Sequence, residues 1–384
     1  MKPLLFVLSA TLAIAVSFGI ARYGFGLFLP DVAASFALST FELGLISSGA
    51  YLGYFTSSVA AMLWTSRVGA RAILAAGMLL ATASMAVIAV APSSWVVILG
   101  FVLAGASPGF VFSPLSEAIA AAYDTKDHGP VFSTVNAGEG MGAVLSAVTF
   151  LFLTTWQTAW GLFAGLAAIG FVLVLLTTPA KPSGRARPAV VPRLDWLIRR
   201  DARPLLLGSF VLGVTTTVFW TFAGGLVAER GVEVNSVEIE LRSLLWLTLG
   251  VAGMAGVIAA PLLRRYGLAI TYAVSVLATA SALALSGAAS TSTGAVLLCG
   301  ALFGLAYIMA TSQVGTWAMS VYIERPSSGF GLTFQVFAMG AVTGPAIAGA
   351  ASQAVGLGAT FIGAGLLTLC LLLFLPQPRK DAAR

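Results

Sequence analysis

The chain has 384 residues, of which 59% are hydrophobic and 9% charged, and its mean hydropathy is +0.98. A soluble domain keeps about a quarter of its residues charged, so the missing charge implies a lipid-facing surface and excludes a large water-soluble domain. The net charge of +6 does not imply a nucleic-acid partner, because the cations gather on one side of the predicted spans.

A helix needs roughly 20 apolar residues to cross about 30 Å of hydrocarbon. On that basis, residues 4–29, 42–64, 72–91, 95–119, 130–153 and 156–177 predict six spans. A polar stretch at 179–203 follows, and six more spans are predicted at 204–227, 243–263, 268–287, 294–321, 329–353 and 356–375. The expected fold is an all-α membrane protein of twelve transmembrane helices. A six-helix half at 1–178 and another at 204–384 flank a linker at 179–203. The opening Met1-Lys2-Pro3 before an apolar run imitates a signal peptide, but eleven further spans favour a retained first helix. Cys299 and Cys370 fall in apolar runs without metal-ligand spacing, so buried unpaired thiols are expected, with no metal or other cofactor.

With the N-terminus placed in the cytoplasm, 17 of the 20 Lys and Arg residues fall on the inner side. Seven belong to the middle stretch (Lys181, Arg185, Arg187, Arg193, Arg199, Arg200 and Arg203). The loop after the seventh span is acidic, with Glu229, Glu233, Glu238 and Glu240. The positive-inside rule therefore places both termini and the middle stretch in the cytoplasm. Short loops agree with a bacterial inner-membrane protein, for which a monomer is expected.

The halves repeat at an offset of 198 residues: Met141-Gly142-Ala143-Val144 recurs as Met339-Gly340-Ala341-Val342, and Phe132 maps onto Phe330. Arg67 and Gly69 map onto Arg265 and Gly267 at the same offset. Parallel six-helix repeats of this kind resemble the major facilitator transporters, which rock two halves around a central site. The segment Met62-Leu63-Trp64-Thr65-Ser66-Arg67-Val68-Gly69-Ala70-Arg71 is similar to that family's signature after the second helix, with Ser66 replacing its Asp. The loss weakens the inner charge relay that the resemblance implies. The stretch Gly19-Ile20-Ala21-Arg22-Tyr23-Gly24-Phe25-Gly26 resembles the YbfB-like bacterial branch, a resemblance that supplies no substrate.

Arg22 is the most informative residue. It lies about seven residues, hence roughly 10 Å, below the predicted outer end of its span, where an Arg costs up to about 2.5–3.5 kcal/mol. Gly19, Arg22, Tyr23 and Gly26 share one face at α-helical spacing. Arg22 is expected either to bind an anionic group of the cargo, whose carboxylate suits its planar fork, or to fix helix packing through a permanent ion pair or bonds to backbone carbonyls. Glu139 heads a stripe with Asn136, Ala143 and Ser146 near the middle of the fifth span. It is the candidate proton-coupling group, or the fixed partner of Arg22. Protons thus join a small-molecule cargo and the lipid bilayer as expected partners.

At the inner face, Arg67, Gly69, Arg71, Glu117, Arg265 and Gly267 form a candidate brace or gate, with Glu117 expected to pair with Arg67 and Arg71. Asp31 and Glu42 are expected to be solvated at the outer ends of their helices. His128, in a charged inner turn, is expected to be exposed. By analogy with the family, Tyr23, Tyr51, Tyr54, Phe110, Ser113, Trp220, Tyr307, Gln313 and Gln335 complete a candidate cavity. Its aromatic and amide character favours a small or medium organic molecule over a polyvalent ion. Pro108 and Pro345, each beside glycines, are expected to interrupt the fourth and eleventh spans.

The leading expectation is a secondary transporter of a small organic anion or an acid-bearing amphiphile. An exporter of lipophilic drugs would tolerate neutral or cationic aromatics, for which Arg22 is a poor partner. A non-transporting sensor or assembly factor on the same scaffold would need no titratable stripe. An enzyme is disfavoured, since the sequence holds no phosphate-binding loop and one histidine in a turn.

Overall fold

Apolar stretches of bilayer length fold into helices almost end to end, because in hydrocarbon each backbone polar group must find its partner within the segment. The structure, a computed structural model, describes residues 2–124, 127–153, 155–180, 199–228, 241–288 and 292–376. The helices are α1 Leu4–Phe36, α2 Thr40–Val68, α3 Ala70–Ala89, α4 Ser94–Ala122, α5 Pro130–Phe152 and α6 Trp156–Thr177. The second half comprises α7 Arg200–Ala228, α8 at 241–266, α9 at 268–288, α10 Thr293–Val321, α11 at 326–355 and α12 at 357–374. The backbone bends between α8 and α9 at Gly267 (φ 77°) and between α11 and α12 at Gly356 (φ 82°).

Nine stretches among the described residues are long and apolar enough on their own to cross a membrane. α2 is not one of them, because its buried face carries Ser47, Ser48, Tyr51, Tyr54, Ser57 and Ser58. Those groups look inward, while Leu52, Met62 and Leu63 lie on its exposed side. Exposed apolar side chains on most helices mark the surface that lipid covers. The fold is that of an all-helical, multi-pass membrane protein in two six-helix halves.

The 198-residue repeat is visible in packing. A methyl group on Gly142 of α5 would lie 2.1 Å from the Ala15 carbonyl oxygen of α1, and one on Gly340 of α11 would lie 2.1 Å from the Phe210 carbonyl oxygen of α7. The same offset relates Gly26 of α1 to Gly224 of α7, and these two helices touch there: a methyl on Gly224 would lie 2.4 Å from the Gly26 oxygen. The halves also join laterally, α2 against α11 and α5 against α8.

Three expectations about prolines need correction. The first span does not stop before Pro30 but continues to Phe36. Arg22 therefore lies 14 residues from that end, about 21 Å at 1.5 Å per residue, near the centre of the helix. Pro108 does not interrupt α4, because the Ser107 hydroxyl donates to the Ala104 carbonyl oxygen at 2.8 Å, the acceptor that proline deprives of its usual donor. The break comes at Ser113–Pro114, between helices Ser94–Phe112 and Leu115–Ala122. Helix α11 likewise runs unbroken through Pro345.

Cys299 is buried as expected, but Cys370 is exposed rather than buried. Lys126, the middle-stretch cations from Lys181 to Arg193, Arg230 and the acidic loop of Glu229, Glu233, Glu238 and Glu240 lie outside the described residues, as do Arg379, Lys380 and Arg384.

Candidate functional site

Residues Ala15–Gly24 of α1 form π-helix rather than α-helix, a rare geometry that concentrates at functional sites. The wider turn distributes the four residues expected on one face. Gly19 meets Glu139 and Gly142 of α5, and Gly26 meets the Trp220 carbonyl of α7. Arg22 turns toward α2, and Tyr23 toward α7 and α10.

The Arg22 side chain is enclosed by rings. Its Cζ lies 4.1 Å from the ring centre of Tyr54, 5.0 Å from Tyr51, 5.2 Å from Tyr23 and 5.3 Å from Phe18. Its Nε is buried without a hydrogen-bond partner, and the residue is only 8% exposed. The Glu139 carboxylate is not within ion-pair distance among the described residues, so the fixed Arg22–Glu139 pair does not form. Each cation–π contact contributes roughly 0.5–2 kcal/mol. Several together offset the cost of about 2.5–3.5 kcal/mol for a central Arg, so the guanidinium persists without a carboxylate.

Arg22, Tyr23, Tyr54, Glu139 and Tyr307 line one cavity of about 240 Å³, with Asn136 beside Glu139. The Tyr23 and Tyr307 hydroxyls share a hydrogen bond of 2.7 Å. Trp220 stacks on Tyr23 at 3.9 Å, and Trp246 Nε1 donates to the Tyr23 carbonyl oxygen at 3.1 Å. This aromatic layer ties α1 to α7, α8 and α10, and so joins the halves above the cavity. The cavity then runs toward the side where α1 begins, reaching Phe132, Met319 and Phe330 near the ends of α5, α10 and α11. On the opposite side the halves close through the Gly26–Gly224 contact and an ion pair from Arg242 to Asp31 at 3.0 Å. Asp31 is therefore paired, not solvated as expected. Glu42 is exposed and completes a capping box with Ser39.

The two cavity walls are repeat-related. Phe132, Asn136 and Glu139 of α5 correspond at the 198-residue offset to Phe330, Phe334 and Phe337 of α11, and all six line the cavity. Arg22 corresponds to Trp220. The first half thus supplies the charged groups, and the second half a phenylalanine wall beside the hydroxyls of Tyr307, Thr311, Ser312 and Thr316 on α10.

Other expected residues lie elsewhere. Tyr51 contacts Arg22 without lining the cavity. Phe110 packs against Gly77 of α3. Ser113 reaches the Ser58 carbonyl at 3.5 Å, and Gln335 Nε2 donates to the Ser58 hydroxyl, so both join an α2–α4–α11 contact. Gln313 is buried with both amide atoms unpartnered. Arg67 and Arg265 are exposed, Arg71 is half-buried, and neither Arg67 nor Arg71 pairs with Glu117. Gly69 (φ 87°) and Gly267 (φ 77°) both hold turns in a region closed to side chains. His128 is half-buried, with Nε2 3.0 Å from the Tyr123 carbonyl oxygen. Sequence reasoning missed Phe18, Phe112, Phe334 and Phe337. The offset that paired Phe132 with Phe330 would have found the last two, extended from Asn136 and Glu139.

Two repeated six-helix halves around a central cavity, sealed on one side and open toward the other, constitute the architecture of a secondary transporter. The profile of the Major Facilitator Superfamily matches residues 11–337, and the chain belongs to that superfamily, a family of transporters rather than enzymes. Its fold is similar to that of a bacterial homologue of the human lysosomal transporter Spinster in an inward-facing, occupied conformation, at 14% identity and TM-score 0.75, covering 96% of this chain and 95% of that one. It is also similar to the nucleoside transporter NupG, at 13% identity and TM-score 0.75, covering 97% and 98%. A search of curated proteins finds no match. The protein is thus a membrane transporter of a small-molecule substrate.

Proposed function

We propose that the protein moves a small organic anion, or an amphiphile bearing one acidic group, by alternating access around Arg22, with Glu139 as the proton-coupling group. One observation carries this reading: a buried guanidinium with an unpartnered Nε lines a cavity and makes no contact ion pair with a carboxylate among the described residues. A cation in low dielectric is far more stable with an anion beside it, and the cavity leaves room for one to arrive.

The charge asymmetry of the loops supports a cytoplasmic location for both termini, hence an inward-facing cavity and closure on the outside. The halves are proposed as 1–178 and 204–384 with 179–203 as their linker. The Arg22–Tyr23 stretch supports membership of the YbfB-like branch. The phenylalanine wall favours a second reading, export of a lipophilic compound, in which Arg22 is structural.

Thermal unfolding with small organic anions, for wild type and Arg22→Ala, separates the two. A ligand at 100 times its Kd raises stability by about 2.7 kcal/mol. Stabilisation by acids that is lost in a folded Arg22→Ala protein supports the anion site. Equal stabilisation of both proteins by neutral or cationic aromatics would replace it with the exporter.

A further inference from the structure

Resting on the anion-binding reading above, we propose that the cargo is a singly charged carboxylate built on one planar aromatic ring, and that it occupies the cavity together with one proton held on Glu139. The size, the walls and the charge of the cavity each contribute to this assignment.

The cavity of about 240 Å³ falls just below the range of roughly 300–1,000 Å³ for drug-sized ligands. It accommodates one ring with a short substituent. Phe18, Phe112 and Phe132 stand on one side of it, and Phe330, Phe334 and Phe337 on the other. Neighbouring rings on each side meet at inclined angles, Phe112–Phe132 at 5.8 Å and 69°, Phe330–Phe334 at 4.6 Å and 33°. Such a slot presents both faces and edges, and a flat ring satisfies them by stacking and edge contacts that a saturated ring of the same size cannot reproduce. Among the described lining residues Arg22 is the cation and stands at the inner end of this slot, beside Tyr23 and Tyr54. A carboxylate on the ring therefore meets the guanidinium while the ring stays between the phenylalanines.

Charge balance then fixes the proton. The groups facing Glu139 are Arg22 and Tyr23 from α1, Tyr54 from α2 and Tyr307 from α10, while α4, α8 and α11 present apolar residues or glycine there. Arg22 and an ionised Glu139 already sum to zero. An arriving monoanion restores that balance when Glu139 takes a proton, whereas a dianion leaves a buried charge without compensation. Cargo and proton then travel as a neutral pair, and no covalent step is involved.

Isothermal titration of the purified protein in lipid nanodiscs, with benzoate, cyclohexanecarboxylate, phthalate and benzamide as probes, tests this. Benzoate is expected to bind roughly threefold to tenfold more tightly than cyclohexanecarboxylate, and at least about tenfold more tightly than phthalate or benzamide. Once the pH is high enough to ionise Glu139 in the empty cavity, its affinity should fall with rising pH toward tenfold per unit, the slope of one proton, with proton uptake read from buffers of different ionisation enthalpy. In Glu139→Gln the slope should vanish. Equal binding of benzoate and cyclohexanecarboxylate, phthalate binding as tightly as benzoate, or a flat profile in the wild type would overturn the assignment while leaving an anion site at Arg22 standing. If no carboxylate binds the folded protein, or if Arg22→Ala binds benzoate as the wild type does, the anion reading fails and this inference fails with it. The probe series on the wild type stands whether or not either variant folds.

Discussion

Gly26 lies where α1 and α7 cross on the closed side of the cavity. A methyl group there would sit 1.9 Å from the Trp220 carbonyl oxygen and 3.1 Å from the Trp246 ring. The carbonyl is backbone and cannot swing aside, so Gly26→Ala overpacks this crossing by about 1–3 kcal/mol. That strain exists while the halves touch on this side and disappears once they part. At about 1.4 kcal/mol per factor of ten, the ratio of this conformation to the opposite one should fall roughly fivefold to 150-fold. The readout is labelling of Thr316→Cys, a cavity position, by a membrane-impermeant thiol reagent in a background with Cys299 and Cys370 replaced. Labelling from the side where the cavity now opens should drop. Gly142→Ala is the comparison, since its methyl would strike Ala15 and Gly19 within one half. It should lower thermal stability without changing sidedness. Unchanged labelling in a folded Gly26→Ala protein, or an equal shift in Gly142→Ala, would refute the assignment of this crossing as the closed gate.

Asp31→Asn removes the carboxylate that Arg242 reaches across the halves, and should favour opening on that side by up to about 1 kcal/mol, less at high salt, because Asp31 is 36% exposed; the same labelling assay reads it. Gly69→Ala places a side chain at φ 87° with open space around it, so the cost of about 1–3 kcal/mol is conformational and should appear as a lower unfolding temperature. Gly165→Ala, also in open space but helical, should raise that temperature by the equivalent of about 0.5–1 kcal/mol. Ser107→Ala exposes the Ala104 carbonyl that Pro108 leaves unbonded, and should cost about 1–3 kcal/mol in thermal unfolding.

Much of the site was legible in part. Arg22 and Glu139 stood out because charge is rare in an apolar helix, and the structure brings both to one cavity. Their mutual distance was not legible, because a π-helical segment rotates the residues that α-helical spacing would align. The phenylalanines escaped notice for a different reason: among 24 of them, none is distinguishable by sequence as cavity wall or as lipid-facing surface. The expected pairing of Glu117 with Arg67 and Arg71 is not among the ion pairs of the described residues, since sharing a membrane face brings charges to one level without bringing those particular groups within reach.

Composition and periodicity by themselves determined the number and order of the helices, because the bilayer imposes a length and a polarity that any spanning segment must satisfy. The repeat at 198 residues likewise determined that two similar halves would pair. Tertiary structure decided which residues meet. It carried α1 past Pro30 and set Arg22 at the helix centre among four rings. It joined Asp31 to Arg242 across 211 positions and placed the polar wall of α5 opposite its aromatic counterpart in α11. Those outcomes depend on helix rotation and crossing, which are fixed by close contacts at Gly26, Gly142 and Gly340 between residues far apart in the chain.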